Sequence, residues 1–392
     1  MRVVFLSLLF LLFQQIAFAT EVRVAAFNVS MEATNYQSQE TEQSIEPSQQ
    51  LLQHLKTGEH QQIKNIAEII QRVRPDIILL NEFDYYADVS PSALSLFVTH
   101  YLQVSQSGQA PIDYQYQYIA PVNTGEPTPF DLDNDGKASG NGADAYGYGL
   151  YPGHYGMALL SRYPIKMEDI RTFQYFRWVD MPGALKPVDP SSEQPWYNDE
   201  EWQAMRLSSK SHWDIPIEID GKTVHVLAMH PTPPGFDGPE DRNGKRNHDE
   251  IRLMADYLTA DSSSYIYDDK KAFGGIKGQR FVLVGDFNAA DIGDKHRPGV
   301  IEQLTEHPLV DASLVPTSKG GANASEEEFS NRYTAYWGAR ADYVLPSAFG
   351  FKAKDAGVFW PEQKSSLYRL VKDRKSSSDH RLVWMDLILK DD

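Results

Sequence analysis

Six short apolar runs, each meeting a polar residue at one end, constrain this chain more than any other feature of its sequence. They read VRVAAFNV from Val22, DIILLNEF from Asp76, TVHVLAMH from Thr223, FVLVGDFN from Phe281, ADYVLP from Ala341 and HRLVWMDLIL from His380. Their length and β-branched content predict buried strands rather than helices. Between them the spacing becomes helical. Ile63, Ile66, Ala67, Ile70 and Val73 repeat at helix intervals until Pro75 stops them, and Ile251, Met254, Ala255 and Leu258 do the same after an NHDE start. The expected class is mixed α and β.

The polar residues at the ends of these runs are Asn28, Glu82, His230, Asp286 with Asn288, Asp342, and Asp379 with His380. Strands lying side by side in packed sheets align their ends, so these side chains are expected to converge along one edge. Taken singly, each has a plain structural explanation, since a carboxylate after a strand is most often a turn or cap residue. Taken together they form the hard-oxygen set that Mg²⁺, Mn²⁺ or Ca²⁺ prefers, beside two imidazoles that titrate near neutrality.

Composition bounds the rest. Arg2, the apolar run Val3 to Phe13 and Ala17-Phe18-Ala19 have the layout of a secretory signal peptide cleaved after Ala19; Gln14-Gln15 interrupts a run too short to span a bilayer. A secreted or periplasmic protein with no stable membrane insertion is expected. With no cysteine, the chain has no disulfide, thiolate nucleophile or cysteine-held zinc. Its formal charge of -17, one unit more negative once Arg2 leaves, makes the average surface repel nucleic acid and acidic membranes. A polyanionic substrate would need cations placed locally.

Further motifs sharpen the pattern: FN at Phe27-Asn28, NE at Asn81-Glu82, GMALLSRYPI from Gly156, MHP at His230, GDFN from Gly285, ADYVL from Ala341 and SSDHRLV from Ser377. In this order they resemble the endonuclease/exonuclease/phosphatase superfamily, as a secreted bacterial-type member, over nearly the whole chain beyond the signal. The resemblance implies a DNase I-like four-layer α/β sandwich, two packed β-sheets flanked by helices, with the site at one end of the sheets. It implies Glu82 as principal metal ligand with Asn28 nearby and Asp379 as a further ligand. Asp286 and Asn288 resemble the pair that handles the attacking water and the phosphoryl group. His380, oriented by Asp342, and His230 resemble the histidines that meet the scissile phosphate. Attack on a phosphorus ester builds charge on oxygens, which a divalent ion neutralises, while an Asp and a His move protons. Whether Asp286 or His380 is the base stays open from sequence. One departure is Ser30, where apurinic endonucleases of the superfamily carry an acid. An Arg that contacts phosphate is expected between LLSRYP and His230; MRLSSKSHW offers Arg206, Lys210 and His212, and Arg206 is preferred.

Three long stretches read as loops: Ser30 to Glu59, residues 105–153 and residues 174–205. The four tyrosines Tyr146, Tyr148, Tyr151 and Tyr155 are expected to pack. After His230, the Pro- and Gly-rich segment places Arg242, Lys245 and Arg246 where they would focus an anionic substrate, with Asn247 or Asp249 capping the next helix. DLDNDGKASGNG from Asp131 opens like a calcium loop but has Gly142 at the twelfth position, so Asp131, Asp133 and Asp135 are expected to bind a structural Ca²⁺. The organisation expected is a signal peptide, 1–19, and one catalytic domain, 20–392, with long insertions near 30–60, 105–153 and 174–205. The function expected is a secreted Mg²⁺-, Mn²⁺- or Ca²⁺-dependent phosphodiesterase or nuclease. One alternative is a phosphatase or phosphodiesterase for small or lipid-linked esters; another is a non-catalytic binding protein on the same scaffold. A phosphoester, with nucleic acid among the candidates, is the expected partner, and no protein partner is implied.

Overall fold

The computed structural model of the protein describes residues 20–36, 47–293 and 295–391. The expected signal peptide, 1–19, lies outside the described residues. The six runs all form strands: β1 (Glu21–Met31), β2 (Ile77–Phe83), β9 (Lys222–Met229), β10 (Phe281–Asp286), β11 (Asp342–Pro346) and β13 (Val383–Leu389). Five further strands complete two sheets: β3 (Tyr116–Ile119), β4 (Met157–Ser161), β5 (Arg171–Thr172), β8 (His212–Ile219) and β12 (Phe351–Val358). The first sheet has the order β12-β13-β1-β2-β4-β3 and the second β11-β10-β9-β8-β5. A small hairpin, β6 (Val188–Asp189) and β7 (Gln194–Pro195), stands apart.

Alternation along the strands explains why the sheets stack. In the second sheet Val224, Val226, Ala228, Val282, Val284 and Val344 share one core with Ile78, Leu80, Ala26 and Met385 of the first sheet. The intervening residues Leu227, Met229, Leu283, Tyr343 and Leu345 face a second core with Ile251 and Met254 of helix α5 (Arg242–Tyr257). Successive side chains of a strand point to opposite faces, so both faces of this sheet are covered. The first sheet is covered by Ile63, Ile66, Ala67 and Ile70 of helix α2 (Gln61–Val73). The result is helix, sheet, sheet, helix, the four-layer sandwich expected.

The helix reading holds for α2, whose left-handed cap Arg74 sits just before Pro75. Helix α5 (Arg242–Tyr257) begins earlier than its NHDE signal suggests. The first polar stretch is not all loop, because α1 (Pro47–Thr57) buries Leu51 and Leu55 in the first core; residues 37–46 lie outside the described ones. Residues 174–205 also pack: Phe176, Trp178, Met181, Tyr197, Trp202 and Met205 build much of the second core. No helix among the described residues is long and apolar enough to cross a membrane.

Strand direction places the polar ends together. β1 runs parallel to β2 with Asn28 beside Asn81, and antiparallel to β13 with Ala26 beside Val383. β9 runs parallel to β10, and β10 antiparallel to β11 with Asp286 beside Asp342. Gly285 lets β10 fit there: its φ is +147°, and a Cβ would stand 2.0 Å from the Met229 carbonyl oxygen. That is the physical reason for glycine in GDFN.

Candidate active site

Three non-glycine residues at the joined strand ends hold left-handed backbone: Ser30 (φ 47°), Glu82 (φ 54°) and Asn288 (φ 50°). Such conformations cost roughly 1–3 kcal/mol each and persist where the surroundings enforce them. The β1–β2 ladder shifts register between Asn28 and Met31, which turns these ends out of regular pairing. Asn81 then stitches the sheets: its Oδ1 accepts from the Asp286 amide at 3.2 Å and its Nδ2 donates to the Met229 carbonyl at 3.3 Å.

Asp286 is the centre of the arrangement. Its Oδ2 accepts a hydrogen bond from Asn28 Nδ2 at 3.1 Å and lies 3.5 Å from both His230 Nε2 and His380 Nε2. Its Oδ1 accepts from the Asn288 amide at 3.0 Å, while Asn288 Nδ2 donates to the Pro231 carbonyl at 3.1 Å. Burial raises the Asp286 carboxyl above the usual range, His380 opposing and Asp342 adding to the shift. His380 Nδ1 is 2.8 Å from Asp342 Oδ2, which also accepts from Thr334 Oγ1 at 2.7 Å. Burial alone would lower His380, but Asp342 and Asp286 outweigh it and raise the imidazole to about 10. His230 moves the other way: burial, with Lys210 and His380 adding, holds it well below the ordinary value. Two histidines around one carboxylate are thus set to opposite protonation states. Trp337, 41% exposed, stands edge-on to His380 with ring centres 4.7 Å apart, and Tyr336 beside it is 60% exposed.

Glu82 and Asp379 lie beside this centre. Ser30 Oγ donates to Asp379 Oδ1 at 2.9 Å, and Ser378 Oγ accepts from the His380 amide at 3.0 Å. Burial raises the Glu82 carboxyl, and Asp379 adds to the shift. Among the described residues two buried carboxylate oxygens here have no hydrogen-bond partner, Glu82 Oε2 and Asp342 Oδ1. Orphaned buried oxygens call for an explanation, and a hard divalent cation with oxygen ligands supplies one. Asp286, Asp342 and His380 also offer ligand atoms within 4.8 Å of one another, but Asp342 Oδ2 is already committed to His380 and Thr334. The donor set at Glu82, Asn28 and Asp379 therefore fits a cation better.

The structure brings Asn28, Glu82, His230, Asp286, Asn288, Asp342, Asp379 and His380 together and records no contact between them and Arg206. Arg206 donates to Asn123 Oδ1 at 2.6 Å and lies over the rings of Tyr146 and Tyr175. Two other cations lie close to the site, Arg374 beside Glu82 and Asp379 and, in the interior, Lys210. The latter is the one the sequence offered. It is buried without a hydrogen-bond or ion-pair partner among the described residues, and Glu250, Glu82 and Asp286 counter the burial that lowers it. The expected focusing cations are structural instead. Arg246 is buried and donates to the carbonyls of Leu207, Tyr146, Arg206 and Ser208, Lys245 donates to the Glu240 carbonyl, and Arg242 pairs with Glu240. Asn247 and Asp249 lie inside α5 and are not caps: Asn247 ties Thr232 and Phe287, and Asp249 accepts from Trp178 and Leu185. Sequence reasoning missed Asn81, Thr334 and Trp337, whose signal is weak because each acts through a neighbour.

The Asp131 loop differs from its expected form. Asp131 and Asp133 gather with Asp144, their oxygens within 4.8 Å, whereas Asp135 turns away to accept from the Lys137 amide. The twelve-residue spacing could not show this, because Asp144 lies beyond it. Tyr151 and Tyr155 stack on His154, and Tyr146 packs under Arg206, as expected; Tyr148 is 60% exposed.

Comparison with known proteins places these features in context. The sequence matches the family model described as Endonuclease/Exonuclease/phosphatase family over residues 25–380. No curated protein matches the sequence. Similar solved structures include an endonuclease/exonuclease/phosphatase from Beutenbergia cavernae (17% identity, 94% of this chain and 72% of that one, TM-score 0.47). They also include beta toxin from Staphylococcus aureus with bound magnesium ions (14%, 95% and 100%, TM-score 0.48) and sphingomyelinase C from Streptomyces griseocarneus (13%, 94% and 99%, TM-score 0.46).

Proposed function

The chain belongs to the endonuclease/exonuclease/phosphatase family, and from that premise we propose that it is an exported, divalent-metal-dependent phosphoester hydrolase, a phosphodiesterase or nuclease. The observation that carries this reading is Asp286 Oδ2, met by Asn28 at 3.1 Å and by two histidines at 3.5 Å, next to the orphaned oxygen of Glu82. Glu82, Asn28 and Asp379 would hold Mg²⁺, Mn²⁺ or Ca²⁺. When bound, such an ion supplies positive charge to the phosphoryl oxygens and the departing oxygen. Asp286 accepts the proton of the attacking water as its oxygen bonds to phosphorus and the ester P–O bond breaks. His380, charged between two carboxylates, gives its Nε2 proton to the departing oxygen; Asp342 fixes the ring so that Nε2 points that way. Neutral His230 and cationic Lys210 hold the non-bridging oxygens, and Asn288 orients the phosphoryl group.

The substrate is read from what surrounds this centre. Arg242, Lys245 and Arg246 are engaged in internal bonds and do not form the basic track a long nucleic acid would use. Exposed Trp337 and Tyr336 offer apolar surface next to His380. The exposed aromatics favour a second reading within the same chemistry, a small or lipid-linked phosphoester, while exposed Lys372, Arg374 and Lys375 beside Asp379 keep cations available to a nucleic acid. Plasmid DNA, bis(p-nitrophenyl) phosphate and p-nitrophenyl phosphate, each assayed in Mg²⁺ and in EDTA, separate the readings. Nicked plasmid supports the nuclease, turnover of small esters alone supports the second reading, and no turnover of any leaves the non-catalytic scaffold.

We propose one catalytic domain over 20–392, with residues 1–19 removed on export; N-terminal sequencing of the secreted chain tests the cleavage. The structural Ca²⁺ expected at Asp131, Asp133 and Asp135 is proposed in altered form, with Asp144 in place of Asp135, since it would stiffen a long loop in a chain without disulfides. It predicts a melting temperature that rises with Ca²⁺ and falls with chelator; indifference to both removes it.

A further inference from the structure

We propose that Arg374 is a built-in counter-cation of the metal-holding acids: its guanidinium stands among Glu82, Asp379 and Glu32, and its charge competes with a divalent ion for the same acids. The inference rests on the metal reading of Glu82 and Asp379 given above.

Three contacts define the position. Arg374 Nη2 lies 3.8 Å from Glu82 Oε2 and 3.9 Å from Glu32 Oε1, and Nη1 lies 3.7 Å from Asp379 Oδ2. All three are ion-pair distances beyond hydrogen-bond reach. A guanidinium carries five N–H donors, yet Arg374 makes no side-chain hydrogen bond to any described residue. Other arginines of this chain behave differently: Arg23 grips Asp386 through two bonds of 2.6 and 2.7 Å, and Arg246 spends its donors on four carbonyls. Arg374 is therefore held by charge and not by direction.

Exposure points the same way. The Arg374 side chain is 45% exposed, while Glu32, Glu82 and Asp379 are 2%, 18% and 15% exposed. A long cation reaches in from solvent over sheltered acids, and nothing but those acids retains it. Glu32 completes the group although Ser30 stands where related nucleases carry an acid. Its Oε2 is taken by Thr34 and by His154 at 3.0 Å, which leaves Oε1 towards Arg374. Three like charges this close repel one another unless a cation sits among them. Arg374 is that cation here. A divalent ion held by the same acids would stand beside the guanidinium with like charge, so each disfavours the other.

Two consequences separate this from a merely structural arginine. Removing the charge should tighten metal binding, because no like charge then opposes the ion, and should loosen the metal-free fold, because the acids then repel unopposed. The test is isothermal titration of Mn²⁺ into the full chain and into Arg374→Gln, Arg374→Lys and Glu82→Gln, with melting temperatures in EDTA and in saturating Mn²⁺. Arg374→Gln is expected to bind Mn²⁺ about tenfold more tightly than the parent, as loss of a like charge near 4 Å implies, with Arg374→Lys between them. It should melt lower than the parent in EDTA, and the gap should close in Mn²⁺. An unchanged or weaker Mn²⁺ affinity in Arg374→Gln, with the parent binding normally and Glu82→Gln impaired, overturns this proposal alone. If the parent binds no Mn²⁺, or Glu82→Gln binds as the parent does, the metal reading itself fails and takes this proposal with it.

Discussion

Asp286 and His380 form a pair in which each group sets the charge of the other. Asp286→Asn removes the proton acceptor but keeps a side chain able to stay beside Asn28, so kcat is expected to fall by about 10³-fold or more with little change in melting temperature. Asp342→Asn leaves the His380 ring without its carboxylate, and a loss of about 10²-fold in kcat is expected, with the optimum moved to lower pH. Trp337 touches His380 from the exposed side, so Trp337→Ala should raise KM for aromatic or apolar esters while leaving kcat within about threefold. Steady-state kinetics on bis(p-nitrophenyl) phosphate reads all three. At this scale the sequence was informative where a residue itself stands in the candidate site. Asn28, Glu82, His230, Asp286, Asn288, Asp342, Asp379 and His380 all end apolar runs, and that position announced them. Lys210 was visible only as one of three basic residues in MRLSSKSHW, because spacing cannot say which of neighbouring residues along a turn faces inward.

Elements explain why the site survives its strain. The ends of β1, β2 and β10 carry Ser30, Glu82 and Asn288 in left-handed backbone, and the two cores behind them fix those ends in place. Gly285→Ala would press a Cβ against the Met229 carbonyl, so a loss of about 3 kcal/mol or more is expected in urea unfolding. Arg246→Met would leave the carbonyls of Leu207, Tyr146 and Arg206 without this donor and that of Ser208 with Asn123 alone, costing about 2–4 kcal/mol of stability. Substrate affinity at constant fold should not depend on salt through this residue, unlike a focusing cation. The strands and α2 were legible from periodicity because their apolar spacing matches their burial. Helix α1 was hidden by Gln49, Gln53 and Lys56 on its exposed face, and the start of α5 by a charged first turn that reads as loop. The internal use of Arg246 was invisible, since a charged side chain in a Pro- and Gly-rich segment reads as solvated.

The whole molecule should lose stability as the medium turns acidic, for reasons separate from the catalytic centre. Burial depresses His212 to about 3, and burial, with His54 adding, depresses His60 to about 4. Both are neutral when folded, whereas in the unfolded chain they take up a proton near pH 6.5. Their contribution is therefore fully present above about pH 6.5 and is lost as pH falls towards 4 and then 3. Melting temperatures between pH 7 and pH 4 should decline, and His212→Phe should flatten that decline; an unchanged slope would remove His212 as a cause. The acidic surface, the sandwich and the sealed cations describe a scaffold that keeps most of its charge away from one small centre. Initial rates of bis(p-nitrophenyl) phosphate hydrolysis in Mg²⁺, measured for the parent and Asp286→Asn side by side, test that centre most directly. The parent should turn over with an EDTA-sensitive rate at least about 10³-fold above the variant; equal rates in the two proteins would contradict a reaction centred on Asp286.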